Sequence, residues 1–324
     1  MKREIKKIII LRTEHIGDYS LSLPLLRAIR EKYPGAIIDV VVGSWNKDFA
    51  ESTPYIDNVI IFDNPLIKRN ISYGDIFKVI FSKERKKILN FTKKLNKNNY
   101  DLLISFSDRK FNKIFLKLIK AGEKISGTEF KGDNLDDRKR MKHLLSNHDI
   151  NILEKNVDLN YSYEDKKTVD KILENIKGKK IIFHPITPLE EKNWQIEKWK
   201  ILANQIKSEK KEYNIFLVGA KIQEKILEEI KKGKSNIINL AGKLTIPQLI
   251  LFIDKCDLII GCDSGPVHLA EITSTPIISL FGQTNEKIWG TPKNKGIFLK
   301  KDNINDISVE EVFNNLKKIL QKEK

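Results

Sequence analysis

The chain alternates short aliphatic runs with stretches of helical spacing, and that alternation narrows the possible folds more than any other feature. "KKIIILR" (6–12) predicts a strand, "SLSLPLLRAIREKYP" (20–34) a helix and "AIIDVVVG" (36–43) a strand. "FAESTPYID" (49–57) predicts a short helix, "NVIIFD" (58–63) a strand, and, after Lys/Ile-rich helical segments, "YDLLISFS" (100–107) another strand. Residues 130–165, with "KGDNLDDRKR" their clearest part, read as a polar loop region. Beyond it, strands are expected at 179–185, 214–220, 235–242, 257–263 and 276–282, with helices at 195–209, 222–233, 245–256 and 265–274. The tail from Ser308 is an amphipathic helix whose Ser308 and Glu311 have the spacing of a capping box. Strands alternating with helices imply parallel β-α units. Runs such as "IIIL", with no polar alternation, suit a sheet covered on both faces.

At 324 residues with 40% hydrophobic content, the chain suits two domains with cores of their own. Lys and Arg number 59 against 43 Asp and Glu, a net +16 that favours acidic partners. The excess is dispersed, so a run such as "KERKK" (83–87) reads as a solvated helix face. Cys256 and Cys262 sit in or beside one apolar run and read as small buried hydrophobes. "IIIL" is too short for a signal-peptide core, and no run reaches the length of a membrane span. A cytoplasmic protein is expected.

Open parallel sheets bind ligands beyond the carboxyl ends of their strands. That directs attention to four strand-end loops: Arg12–Asp18, His184–Lys192, Gly219–Glu224 and Asp263–His268. In "GCDSGPVHLA" (261–270), Ser264 or Asp263 can cap the helix while its first N–H groups meet an anion. Gly265 allows close backbone approach, and His268 is either a core histidine or a phosphate contact. In "HPITPLEEKNW", Thr187 and Lys192 either form a solvated turn or face a phosphate. Gly17 and Asp18 precede a helix, with Asp18 either its N-cap or a general base. Neither the dinucleotide G-x-G-x-x-G nor the Walker motif occurs, and the sequence has no Asp-x-Asp pair to hold a divalent metal.

Taken in order, "LRTEHIGDYSLSLP", "YDLLISFS", "EKNW", "IFLVGAKIQE", "NLAGKLTIPQL", "DLIIGCDSGPVHLA" and "PIISLFGQT" resemble glycosyltransferase family 9, the heptosyltransferases of lipopolysaccharide core synthesis, from about residue 6 to 292. The resemblance implies an α/β GT-B fold, two Rossmann-like domains with parallel sheets facing a central cleft. The expected domains are 1–165 for the acceptor and 166–300 for the nucleotide sugar, with the helix at 301–324 packing back on the first. It further implies inverting, metal-independent transfer from ADP-heptose to an acidic glycolipid at the inner membrane surface. By position Asp18 matches the base, Lys192 the cation near the donor phosphates, and Asp263 the acid that holds sugar hydroxyls. Ser264, Gly265 and His268 match the diphosphate turn, with Thr187 beside them, Glu224 the ribose carboxylate and Leu244 the adenine cover. Arg12, Gly17 and Asp108 fall on the acceptor side, Asp108 standing in for an acid usual directly after its strand. "HPITP" replaces a small-residue turn, "GQT" replaces "GPT", and Glu271 stands where a small residue is usual. Two other readings stay open: a GT-B enzyme with another nucleotide sugar or a protein acceptor, and a non-catalytic nucleotide- or nucleic-acid-binding protein. The second rests only on net charge, and no nucleic-acid partner is expected.

Overall fold

The computed structural model describes residues 4–65, 82–107, 110–127, 137–152, 157–209, 212–284, 292 and 294–321. They divide into two compact units, Met1–Asn160 and Tyr161–Lys324.

The first unit is a five-stranded, wholly parallel sheet of β1 (Lys7–Arg12), β2 (Ile37–Val42), β3 (Asn58–Ile61), β4 (Tyr100–Ser105) and β5 (Ala121–Ser126). Its spatial order is β3-β2-β1-β4-β5. Around it run α1 (Ile16–Lys32), α2 (Lys47–Glu51), α3 (Lys83–Leu95), α4 (Lys110–Leu118) and α5 (Asp137–Ser146). Ile8, Ile9 and Ile10 are all fully buried, so successive side chains on both faces of β1 are covered, which is why that run shows no alternation. The "KERKK" run, exposed apart from half-buried Glu84, opens α3 behind Ser82 as its N-cap.

The second unit repeats the plan with β6 (Lys179–His184), β7 (Tyr213–Leu217), β8 (Ile237–Asn239), β9 (Leu258–Cys262), β10 (Ile277–Phe281) and β11 (Gly296–Lys300). All are parallel, in the order β11-β10-β9-β6-β7-β8. Read from β8, this is the doubly wound order 3-2-1-4-5-6, which reverses direction between β6 and β9. The helices are α6 (Tyr163–Leu173), α7 (Ile196–Ser208), α8 (Glu224–Lys231), α9 (Ile246–Asp254), α10 (Gly265–Ala270) and α11 (Val309–Gln321). Leu258, Ile259 and Ile260 are fully buried in β9, each contributing about 1.5–3 kcal/mol over an exposed position. Both cysteines are free and buried, as expected.

Several elements differ from the sequence expectation. α1 starts at Ile16 rather than residue 20, because His15 and Asp18 close a capping box one turn earlier. The region expected as loop contains α5, whose Met141, Leu144 and Leu145 are buried. The edge strands β5 and β11 have no counterpart among the expected strands. The terminal helix belongs to the second unit. Val312, Leu316 and Leu320 join the core of the second unit, and Glu311 N–H donates to Ser308 Oγ at 3.1 Å as the box requires. The cause is local: Trp194 Nε1 donates to Ile307 O at 3.0 Å and Gln195 N to Asn305 Oδ1 at 2.9 Å, tying the approach to α11 onto the second unit. Among the described residues no helix is long and apolar enough to cross a membrane.

Candidate active site

β6 and β9 are neighbours at the strand-order reversal, with His184 opposite Gly261 in the register. The loops leaving their carboxyl ends meet at once. A Cβ on Gly261 would lie 2.7 Å from Val267 Cγ2 and 3.0 Å from His184 Cβ, so only glycine lets β6, β9 and α10 pack this closely. From one loop Lys192 Nζ reaches Asp263 Oδ2 at 2.5 Å. The other carboxylate oxygen, Oδ1, lies 3.2 Å from His268 Nε2, and His268 Nδ1 lies 3.0 Å from Glu271 Oε1. Burial alone would raise the Asp263 pKa, but the His268 hydrogen bond and the charges of His268 and Lys192 hold it well below the usual range. Burial would likewise push His268 down, yet its bonds to Asp263 and Glu271 raise it to about 9. The ring is a cation at neutral pH.

His184 is the converse case. Its Nδ1 sits 3.1 Å from Val218 O, which can only accept, so Nδ1 carries the proton. Its Nε2 then accepts from Ser264 Oγ at 2.5 Å. Burial pushes the ring pKa down to about 4, which keeps it neutral. This explains a departure from expectation. Ser264 occupies the N-cap position of α10 but makes no side-chain cap bond, because its hydroxyl is turned to His184. Gly265 and Pro266 open that helix. The helix runs only six residues rather than to 274, so its dipole is a small part of the site's electrostatics.

Thr187 is buried and builds the loop that carries Lys192. Its N–H donates to Asn193 Oδ1 at 2.7 Å and its hydroxyl to Leu189 O at 2.9 Å. The loops after β6, β7 and β8 are tied in turn: Gln223 Nε2 donates to Ile186 O at 3.1 Å, and Gly242 N to Gly219 O at 2.9 Å. Glu224 opens α8 directly after the second of these loops, its pKa lowered by a hydrogen bond from Lys221 Nζ at 2.5 Å. Half-buried Leu244 stands in the third, directly before Thr245, which caps α9. Thus Thr187, Lys192, Glu224, Leu244, Asp263, Ser264, Gly265 and His268 all belong to the carboxyl edge of one sheet.

In the first unit the corresponding reversal lies between β1 and β4. Arg12, 2% exposed, ends β1 and donates from Nε to Asp18 O at 2.9 Å and to Ser22 Oγ at 3.2 Å. Asp18 is the third residue of α1 rather than its N-cap. Its Oδ2 accepts from His15 N at 3.0 Å, and His15 holds the cap position. Gly17 is buried in the same turn, its carbonyl accepting from Ser20 Oγ at 2.8 Å. Asp108 lies outside the described residues. Sequence reasoning gave no role to Glu14, which is 3% exposed, accepts from Asn112 Nδ2 at 2.9 Å and lies 3.9 Å from Arg12 Nη1. Nor did it assign one to His184, although it marked the loop that His184 opens. Glu14 sits within the strand-end loop too, but one acid there gives no sign that it will be buried.

Residues 88–317 match glycosyltransferase family 9 (heptosyltransferase). The lipopolysaccharide heptosyltransferase 3 of Escherichia coli is 28% identical over 297 residues, covering 84% of this chain and 82% of that protein. A solved glycosyl transferase family 9 structure from Veillonella parvula superposes with a TM-score of 0.83 at 17% identity, over 100% of this chain and 99% of that one. The E. coli heptosyltransferase WaaC, solved with ADP, gives 0.74 at 17% identity over 97% and 99%. The structural likeness establishes the GT-B fold of two parallel-sheet α/β domains expected from the sequence. With more than two thirds of its length matching the family, the chain belongs to glycosyltransferase family 9, the heptosyltransferases.

Proposed function

We propose that the protein transfers a heptose from ADP-heptose to a lipopolysaccharide core acceptor, with inversion and without a metal. The observation that carries this reading is the Lys192–Asp263–His268 cluster at the strand-order reversal of the second sheet. It presents a cation on a flexible stem beside a carboxylate held ionised, which suits an anionic leaving group next to sugar hydroxyls. The names of the relatives support the donor and acceptor classes: one is a lipopolysaccharide heptosyltransferase, another a heptosyltransferase solved with ADP.

In this reaction the acceptor hydroxyl oxygen bonds to the anomeric carbon as the bond from that carbon to the diphosphate oxygen breaks. Asp18 takes the hydroxyl proton, and Lys192 meets the charge that develops on departing ADP. Glu224 and Leu244 hold the ribose and adenine, while Thr187 keeps Lys192 in place through its turn. Arg12, Gly17 and Asp108 shape the acceptor side, and the net positive charge favours approach to an acidic glycolipid on the cytoplasmic membrane face.

Calorimetry with ADP, UDP, GDP and adenosine tests the donor assignment, followed by a transfer assay with ADP-heptose and excess EDTA. ADP is expected to bind more tightly than adenosine, with affinity falling as salt rises. Transfer is expected to survive the chelator. Equal affinity for ADP and adenosine removes the diphosphate reading, and activity restored only by magnesium or manganese removes metal independence.

A further inference from the structure

Glu271 is a buried acid that the mechanism above leaves without a task, its side chain only 5% exposed. It stands at the end of a row of four groups, Glu271, His268, Asp263 and Lys192, joined at 3.0, 3.2 and 2.5 Å. Both ring nitrogens of His268 face a carboxylate oxygen. An ionised carboxylate only accepts, so a neutral ring would set its lone pair against one of them. The geometry therefore calls for a doubly protonated imidazolium, and the four charges alternate in sign and cancel.

The two cations on Asp263 are not equivalent. The Lys192 side chain is 13% exposed, the most accessible of the four, and its ammonium rides on four rotatable carbons. His268 is fixed in α10 beneath it, at 8% exposure. An arriving diphosphate competes with Asp263 for a cation, and only Lys192 is free to turn toward it. A carboxylate as buried as Asp263 is costly to leave without a charged partner.

We propose that Glu271 is a positioning residue: by bonding Nδ1 it fixes His268 as the stationary cation on Asp263, which releases Lys192 to the donor's diphosphate. The inference rests on the reading of Lys192 as the diphosphate cation. Among the described residues, charged groups facing the ring include Asp263 from the end of β9 and Glu271 from the end of α10, with Lys192 behind Asp263. Their bonds and charges outweigh burial and keep the ring protonated to about pH 9.

The test uses the full chain with Glu271→Gln, which keeps an oxygen for Nδ1–H but removes the charge, and Glu271→Asp, which retains it. The histidine rings are followed by NMR, with His268 assigned from a His268→Gln sample. ADP affinity is measured by calorimetry from about pH 6 to about pH 9. In Glu271→Gln the His268 midpoint is expected to fall by about one pH unit or more. ADP binding should stay near wild type at the acid end and weaken roughly tenfold toward the alkaline end. Glu271→Asp should recover most of both. An unchanged midpoint in folded Glu271→Gln, or ADP affinity lost equally at every pH, overturns the proposal. If wild-type protein fails to bind ADP at any pH, the donor reading fails, while the ring titration still decides whether Glu271 fixes His268.

Discussion

Asp18 serves the fold and, in the proposed reaction, the chemistry, and one substitution separates the two. Its Oδ2 accepts from His15 N at 3.0 Å, closing the capping box of α1. Asn offers the same oxygen in nearly the same place, so Asp18→Asn should change the melting temperature little. It cannot accept a proton, so turnover should fall by roughly two orders of magnitude or more. Donor affinity should stay within about twofold, since the proposed donor groups all lie on the other sheet. Near-normal kcat with a lowered Tm would leave Asp18 a capping residue and nothing more. The same residue shows how a motif read by type alone goes astray. An acid next to Gly17 reads as an N-cap, whereas the pairing that settles the helix start is His15 with Asp18, and histidine is not a usual capping side chain.

At the scale of elements, Gly242 joins two of the loops that lead to the proposed donor residues. Its φ is +67°, and a Cβ there would lie 2.6 Å from the Cα of Lys221. Gly242→Ala therefore meets both a strained backbone and a backbone clash, costing about 1–3 kcal/mol. Because the displaced loops lead into Glu224 and bear Leu244, ADP affinity should fall about tenfold while the proposed Asp18 chemistry is untouched, so KM should rise more than kcat drops. A variant with wild-type KM would detach these loops from donor binding. Leu316→Ala, in α11, should cost about 2–5 kcal/mol if the terminal helix belongs to the second unit's core. Protein that melts as wild type would refute that placement. The interior strands were legible because coverage on both faces forces unbroken aliphatic runs. The edges were not. In "AGEKIS" only Ile125 and Ser126 are buried, so β5 has no need of such a run. α5 was hidden because "DRKRMKHLLS" sets the buried Met141, Leu144 and Leu145 among many charges. The loops were placed correctly from strand ends alone, but their internal pairing, such as Ser264 with His184, depends on contacts 80 residues apart.

For the whole molecule, the two site histidines set opposite limits on stability. His184 is held neutral to about pH 4, against an ordinary value of 6.5, because burial disfavours its charge. Between those values the unfolded chain binds a proton that the folded one refuses, so stability falls as pH drops from 6.5 toward 4. His268 is raised to about 9, since its carboxylate partners outweigh burial. Its contribution is complete below 6.5 and is lost as pH climbs through 9, where the folded protein alone still holds the proton. These two groups together favour a stability maximum near pH 6.5, where neither term is spent. The acid limb is the one that a single variant isolates. His184→Asn removes the titrating ring at the cost of some packing and of the Ser264 bond. Its Tm should thus lie below wild type at neutral pH, by an amount that shrinks as the pH is lowered. The wild-type advantage that titrates away is on the order of 3 kcal/mol. Melting both proteins from about pH 4 to about pH 9 checks this. A gap that stays constant across the acid range would mean that His184 takes up its proton as readily in the folded chain as in the unfolded one.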